Sequence, residues 1–240
     1  MRFHIITIFP EMFDSYLKES IIGRAIKDKK ISIKFYNPVD FCQPKERVDG
    51  RPYGGGPGMV MRAELTLKAI EKALAQCSRS GFPVTQRQPF AKTLRKSFKV
   101  KLIIFSPSGK KFNTAYAKSS AKKYTDIIMI SGRYEGIDAR VKKILKADLS
   151  TKALASVEEI SIGDYVLTGG ELPAMVLIDS ISRQIPGVLG KYESLEEERV
   201  SSSEVYTRPE KLVYKGKSYK VPKVLLSGNH KKIEEWKQKR

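Results

Sequence analysis

Residues Tyr124–Leu145, YTDIIMISGRYEGIDARVKKIL, predict a strand, a loop and a helix in succession. The apolar run ends at Ser131 and Gly132, and a helical pattern begins near Asp138. A short apolar run bounded by glycine is typical of a buried strand, and apolar residues spaced three and four apart are typical of a helix.

The same plan occurs twice more in the sequence. Val100–Asn113, VKLIIFSPSGKKFN, carries its loop at residues 106–109, and Glu158–Met175 reads EEISIGDYVLTGGELPAM. Three such units predict an α/β fold with a mostly parallel sheet. Ligands of parallel sheets bind beyond the carboxyl ends of the strands, so the three glycine-bearing loops should converge on one pocket.

The charge of the chain indicates a polyanionic partner. Its 240 residues carry 45 Lys and Arg against 26 Asp and Glu, which gives a net charge of +19. Residues 72–125 contain no acidic residue at all. Contact with nucleic acid phosphates explains this imbalance, and a merely solvated basic face is the alternative.

Other classes of protein are disfavoured by the sequence. No apolar run is long enough to cross a bilayer and nothing near the N-terminus has the pattern of a signal peptide, so we expect a cytoplasmic protein without membrane association. Cys42 and Cys77 have neither metal-ligand nor disulfide spacing, and we expect inert thiols. His4 is expected to be structural, and we predict no metal site.

The domain organisation follows from composition. We predict a main domain over residues 1–190, a flexible acid-rich linker over 191–205 and a small, mainly helical, basic domain over 206–240. The small domain should contain a hairpin turning at Lys215 and Gly216 and a last helix with Asn229 as its N-cap.

The loop RPYGGGPG, Arg51–Gly58, is rich in glycine but is not a phosphate-binding P-loop, because no Lys-Ser or Lys-Thr follows it. It is either a tight structural turn or part of a ligand or RNA site. The three later loops combine bare backbone with apolar side chains such as Ile162, Val166 and Leu167. That combination suits an adenine ring better than a pyrophosphate.

Five segments resemble one known family. They are VDGRPYGGGPGM, SGRYEGIDARV, EEISIGDYVLTGGELPAMVLIDSISRQIPGVLG, YTRPE and VPKVLLSGNHKKIEEWK. In this order they are similar to the bacterial tRNA (guanine-N1)-methyltransferases, which methylate the guanine immediately 3′ of the anticodon, at tRNA position 37. The resemblance covers nearly the whole chain.

This resemblance implies a sheet with a deep trefoil knot, of the SPOUT class, that binds S-adenosylmethionine. It also implies a homodimer with each active site at the subunit interface, and the helix predicted after Gly170 is apolar almost all round, as such an interface requires. The cofactor contacts carried over by motif are Ser106, Pro107, Gly109, Gly132, Tyr134, Gly136, Ser161, Ile162, Gly163, Asp164, Tyr165, Val166, Leu167, Gly169 and Gly170.

Methylation of guanine N1 requires removal of its proton and stabilisation of charge on O6, roles that suit a carboxylate and an arginine. The resemblance assigns the arginine to Arg183 in SRQIPG. Alignment of the linker motif assigns the base to Glu198, where the family has aspartate. A shift of one or two residues would assign it to Glu197 or Glu196, and simple solvated acids are the alternative.

Two further departures from the family pattern are Gly50, in place of an acidic residue, and a basic region over 78–99 that is longer than usual and expected to be mobile. Alternative functions are methylation of another RNA by the same fold, or RNA binding by a catalytically impaired homologue. Residues expected to contact RNA or the active site are Arg51, Arg133, Glu135, Arg208, Asn229 and His230.

Overall fold

The protein divides into two compact units, Met1–Val188 and Leu189–Arg240. The structure is a computed structural model that describes residues 1–77, 99–150, 155–189 and 204–238. The basic region is therefore described only at Lys99, because its residues 78–98 lie outside these ranges.

The first unit is built on a five-stranded sheet, which confirms the predicted parallel α/β fold. The strands of the described ranges are, in chain order, β1 (Arg2–Ile6), β2 (Ser32–Tyr36), β3 (Asp49–Gly50), β4 (Val60–Met61), β5 (Val100–Lys111), β6 (Asp126–Ile130), β7 (Ala155–Ser161), β8 (Lys211–Tyr214) and β9 (Lys217–Lys220). The order in the large sheet is β2-β1-β6-β5-β7, and every neighbouring pair is parallel. β3 and β4 form a separate antiparallel pair.

Helices flank this sheet and also complete the second unit. They are α1 (Asp14–Leu17), α2 (Ser20–Lys27), α3 (Ala63–Cys77), α4 (Thr114–Lys123), α5 (Ala139–Ser150), α6 (Glu171–Ser182), α7 (Lys223–Leu226) and α8 (His230–Gln238), with 3-10 turns at Pro10–Phe13 and Pro38–Phe41. Local chemistry fixes where several begin. Pro10 starts the first turn with Glu11 beside it, and the Asn113 side chain accepts the Tyr116 backbone N–H at 2.9 Å to cap α4.

The hydrophobic core lies on both faces of the sheet. Side chains alternate along each strand, so Ile128 and Ile130 of β6 pack on one face and Ile127 and Met129 on the other. The first face is covered by α3 and α5, the second by α6 and the Pro10–Phe13 turn. All five residues of β6 are buried, as expected for the middle strand.

β5 departs from the simple strand-loop-helix prediction. Its pairing with β7 is interrupted between Phe105 and Lys110 and then resumes, so the SPSG segment is a bulge within the strand. Gly109 permits this path, because a Cβ there would lie 2.7 Å from the backbone of Glu159 and Ile160. The helix therefore begins only at Thr114.

The second unit contains the predicted hairpin and helix cap. Lys215 and Gly216 both have positive φ, 49° and 76°, as a two-residue turn between β8 and β9 requires. The Asn229 side chain accepts the Lys232 backbone N–H at 3.2 Å and so caps α8. Strands of four residues and helices of four and nine residues make up this unit.

A buried polar network ties β1 to β6. The His4 ring lies 3.0 Å from Asp126 Oδ1 and 2.9 Å from the Tyr36 hydroxyl, and Arg2 lies 2.7 Å from the same carboxylate. Because the carboxylate accepts, His4 Nε2 carries a proton. Burial raises the pKa of the neighbouring Cys77 thiol, which agrees with an inert cysteine.

His4, Cys77 and Asp126 place potential metal-ligand atoms within 4.8 Å of one another. The Arg2 guanidinium already neutralises the carboxylate and would repel a cation, so hydrogen bonding is the better account of this cluster. None of the helices in the described ranges has both the length and the apolarity that a bilayer crossing requires.

We predict that Asp126→Asn destabilises the protein by about 3 kcal/mol at pH 7, because it leaves buried donors without a charged partner. Burial by itself would raise the pKa of Asp126, but hydrogen bonds from His4, Arg2 and Thr125 outweigh it and hold the pKa below its usual value. This contribution to stability is present above the ordinary carboxyl pKa of about 4 and is lost as pH falls through the lowered value.

Urea denaturation of wild type and variant across pH checks this prediction. The difference in unfolding free energy between wild type and Asp126→Asn should become smaller below about pH 4. Asp14→Asn is the control, since Asp14 forms an exposed pair with Lys18. An Asp126→Asn difference that is the same at pH 3 and pH 7 would contradict the proposed role of the charge.

Candidate functional site

A cleft lies at the carboxyl ends of β5, β6 and β7, where the three glycine-bearing loops meet as the sequence predicts. Its volume is about 280 Å³, near the lower end of the range of roughly 300–1,000 Å³ for small-molecule sites. Its lining consists of Phe105, Ser106, Pro107, Gly132, Tyr134, Glu135, Gly136, Ile160, Ser161, Ile162, Gly163, Tyr165, Val166, Leu167, Thr168, Gly169, Gly170 and Pro173.

The third loop is pressed against the second through backbone contact. The Gly170 N–H donates to the Gly132 carbonyl at 2.9 Å, and Arg133 pairs with Gly169 as an isolated bridge. A Cβ at Gly170 would lie 2.6 Å from the Cα of Ser131. Glycine is therefore required at this position for the two walls of the cleft to meet.

Two tyrosines and a valine form an exposed rim. Tyr134, Tyr165 and Val166 are 51%, 54% and 82% exposed. The Tyr165 ring lies over Gly163, where a Cβ would approach the ring to 2.2 Å. Tyr134 has φ of 61°, a conformation that turns its side chain to the rim at some conformational cost. Aromatic surface left exposed beside a cleft indicates a platform for a flat ligand.

The electrostatics of the cleft are unusual for such a basic protein. Among the described residues that line it, Glu135 is the only charged one. A pyrophosphate would find no cationic partner there, whereas a neutral ring or a cationic group would be tolerated. This agrees with the sequence-based preference for an adenine ring over a pyrophosphate.

Gly109 and Asp164 lie outside this lining, unlike the other thirteen residues carried over as cofactor contacts. Gly109 packs against the β7 backbone and shapes the β5 bulge. The exposed Asp164 carboxylate pairs with Lys111 at 2.6 Å. Sequence reasoning missed Phe105, Ile160, Thr168 and Pro173, which enter the lining only because the strands and α6 bring them there.

Arg133 is engaged within the protein instead of facing open solvent. Its Nε lies 2.9 Å from Glu171 Oε2, without the alignment of a hydrogen bond, and its guanidinium stacks 4.8 Å from the Phe9 ring centroid. Glu171 is 1% exposed and also accepts from the Thr7 hydroxyl at 2.8 Å. Arg133 is thus held against the start of α6.

The Arg51–Gly58 loop borders the cleft. The Glu135 N–H donates to the Met59 carbonyl at 2.9 Å, and a Cβ at Gly58 would lie 2.6 Å from the Glu135 side chain. Gly58 therefore leaves room for the one carboxylate of the lining. At the tip, Tyr53 is fully exposed. The structure thus places this loop beside the cleft.

Arg183 lies far from the cleft of its own chain. It caps the C-terminus of α6, whereas Gly170, at the N-terminus of that helix, lines the cleft. Twelve helical residues span about 18 Å. Ile185, two residues on, borders Met1 at the opposite, amino-terminal edge of the sheet. One chain therefore does not bring Arg183 and the cleft together.

The remaining expected residues are exposed or lie outside the described ranges. Arg51 is exposed in the first unit, while Arg208, Asn229 and His230 are exposed in the second. Asn229 already serves as a helix cap. The expected base, Glu198, and its neighbours Glu196 and Glu197 lie outside the described residues.

Comparison with known proteins agrees with these features. Residues 1–240 match the family model described as tRNA (Guanine-1)-methyltransferase TrmD. A tRNA (guanine-N(1)-)-methyltransferase of Clostridioides difficile is 43% identical, covering 99% of this chain and 91% of the relative. Proteins of the same name from Dictyoglomus turgidum and Pseudoalteromonas atlantica are 41% and 40% identical, covering 84% and 78% of those relatives. The chain belongs to the tRNA (guanine-1)-methyltransferase family of enzymes.

Proposed function

We propose that this protein transfers a methyl group from S-adenosylmethionine to N1 of the guanine 3′ of the anticodon, position 37, in tRNA. The observation that carries the proposal is the cleft formed by three glycine-bearing loops, which offers backbone groups and aromatic surface but no cation among its described lining residues. Family membership supports the reaction. A tRNA substrate implies that the protein works in the cytoplasm.

The cleft residues fit S-adenosylmethionine by their chemistry. Backbone groups of the Ser161–Gly170 loop and the apolar side chains of Ile162 and Leu167 would hold the adenine. The nearby Glu135 carboxylate is compatible with a positive charge. When bound, this cofactor supplies an electrophilic methyl group on a sulfonium. The protein must then hold the guanine, exclude water and accept the proton from guanine N1.

We also propose that the chain is knotted here, as the family resemblance implies. Support comes from the contact between the loops, because the absence of a side chain at Gly170 lets its segment pass directly against Ser131 and Gly132. A threaded loop needs such close backbone approach. In this arrangement α6 leaves the knot at a fixed angle, held by the Arg133 and Glu171 pair.

The acid and base chemistry is proposed to come from the linker and from Arg183. Glu198 would accept the N1 proton as the methyl group is transferred, and Arg183 would stabilise charge on O6. Glu198 in place of aspartate adds one methylene, so the linker backbone must stand slightly farther from the guanine. Glu196 and Glu197 remain the neighbouring candidates for this base.

A second copy of the chain is the proposed partner that completes the site. Large apolar side chains remain exposed along α6 and around the Pro10–Phe13 turn: Phe9 42%, Met12 43%, Leu172 50% and Val176 43%. Exposed apolar surface of this kind marks an interface. Since Arg183 lies at the far end of α6 from its own cleft, the partner's α6 is the natural source of the arginine.

The second unit is proposed to hold tRNA. Residues 204–238 contain nine Lys or Arg and four Glu, and Arg208 and His230 are exposed on it. Basic side chains of this kind contact phosphates without reading sequence. They would supply affinity and orientation, while the guanine itself is selected at the cleft.

We expect radiolabelled methyl transfer to a tRNA transcript with guanine at position 37 and not to the matched transcript with adenine there. Nuclease digestion of the product should release 1-methylguanosine. Label on ribose, or on ribosomal RNA only, would support the alternative substrate. No incorporation by the folded protein in the presence of the cofactor would leave only the RNA-binding alternative.

Glu198→Gln should lower the single-turnover rate by roughly 100-fold to 10,000-fold, because glutamine keeps the size but accepts no proton. Tight binding of tRNA should be unchanged. Glu196→Gln and Glu197→Gln are matched controls in the same segment, and Glu135→Gln tests the carboxylate of the cleft. A normal rate for Glu198→Gln, with a slow rate for any of the other three, would reassign the base.

Mixed dimers test whether Arg183 acts on the partner's cleft. Arg183→Ala and a cofactor-binding variant, Gly163→Val, should each be inactive alone. Random mixing of the two should restore about a quarter of wild-type activity, since half of the dimers contain one complete site. Activity that stays at background after proven subunit exchange would show that Arg183 serves its own chain. Calorimetry with the cofactor verifies the Gly163→Val defect.

A further inference from the structure

A second cavity lies on the outer side of the sheet between β5, β7 and α4. Its volume is about 470 Å³. None of its lining residues belongs to the lining of the cleft. They are Lys101, Lys110, Asn113, Ala115, Tyr116, Ser119, Ser120, Lys123, Tyr124 and Glu158.

The floor of this cavity holds a buried charge pair. The Lys101 side chain is 8% exposed, and its Nζ donates to Glu158 Oε2 at 2.5 Å. The Tyr116 hydroxyl donates to the same oxygen at 2.9 Å. Lys101 also lies 5.8 Å from the ring centroids of Tyr116 and Tyr124. These contacts hold one lysine and two aromatic rings in fixed positions.

Two further cations surround this floor and leave it with an excess of positive charge. Lys110 Nζ is 3.8 Å from the other Glu158 oxygen and 67% exposed, and Lys123 lies over the Tyr124 ring at 5.4 Å. Glu158 is the single acidic residue among the described lining residues, against three lysines. The cavity therefore carries a net positive charge of two.

The position of the cavity links it to the cleft. Glu158 lines the cavity and Ile160 lines the cleft, and both side chains point to the same face of β7. Two residues along a strand are about 7 Å apart. A single RNA strand can therefore place a base at the cleft and a backbone phosphate at the cavity, and α4 carries Lys118, Lys122 and Lys123 with no acidic residue.

We propose that this cavity is a second tRNA-binding site, which holds a backbone phosphate between Lys110 and Lys123 and stacks the adjoining base on Tyr116 or Tyr124. Lysines interleaved with aromatic rings are the usual means of holding single-stranded nucleic acid. An acidic peptide would use the lysines but would leave the rings without a role. The inference rests on the proposed tRNA substrate and extends its footprint beyond the cleft and the second unit.

The test is tRNA binding by fluorescence anisotropy at several salt concentrations. Lys110→Ala/Lys123→Ala should weaken binding at least tenfold at low salt. The salt dependence of binding should become weaker: the magnitude of the slope of log K against log salt should decrease by about 0.9 for each phosphate that the variant no longer neutralises. Lys122→Ala is the control, because it removes an exposed charge from the same helix outside the cavity. Cofactor affinity, measured by calorimetry, should not change.

Glu158→Gln should change tRNA affinity in the opposite direction to the lysine variant. Removal of the acidic residue should strengthen tRNA binding severalfold if the cavity holds phosphate. A purely structural ion pair predicts weaker or unchanged binding. Thermal unfolding of the variant must accompany this measurement, because Lys101 is deprived of its buried partner.

Unchanged affinity and salt slope in Lys110→Ala/Lys123→Ala, while wild type methylates tRNA, would overturn this inference and leave the proposed function standing. If Lys110→Ala/Lys123→Ala lost binding to polyglutamate but kept its binding to tRNA, the cavity would be assigned to an acidic protein. That result would also overturn the inference. Failure of the proposed function looks different, because wild type would then transfer no methyl group to tRNA.

Discussion

Backbone contact between Gly170 and the loop that follows β6 is the constraint on which the site depends. The Gly170 N–H reaches the Gly132 carbonyl, and no side chain fits between Gly170 and Ser131. This contact closes the cleft and sets the point at which α6 begins. A larger residue at position 170 would separate the two loops, so the cleft and the direction of the helix would be disrupted together.

Charged side chains are distributed unevenly between the cleft and the rest of the protein. Inside the fold, Arg2 and Arg133 lie next to Asp126 and Glu171, so these arginines stabilise the structure. The cleft lining has Glu135 as its only charged residue in the described part of the chain. Under the proposed function, the lysines outside the cleft attract tRNA without repelling the sulfonium of the cofactor.

Under the proposed function, the length of α6 explains why a second copy of the chain is needed to complete the site. The helix begins at the cleft and ends at Arg183, on the opposite edge of the sheet, so one chain presents the two halves of the proposed chemistry about 18 Å apart. The apolar side chains left exposed along it, Leu172 and Val176, would be covered by a second copy. Under the proposed function, dimerisation and catalysis then depend on the same helix.

The sequence by itself determined the parallel α/β fold, the three loops and most of the cleft lining, because apolar runs and glycines act locally. The hairpin at Lys215 and the cap at Asn229 were predictable for the same reason. Only the tertiary structure decided that Gly109 supports a bulge, that Arg133 pairs with Glu171, and that Lys101, Tyr116 and Glu158 meet in one cavity. Those contacts join residues that are distant in sequence. Their partners are set by the spatial order of the strands in the sheet, which local sequence patterns do not specify.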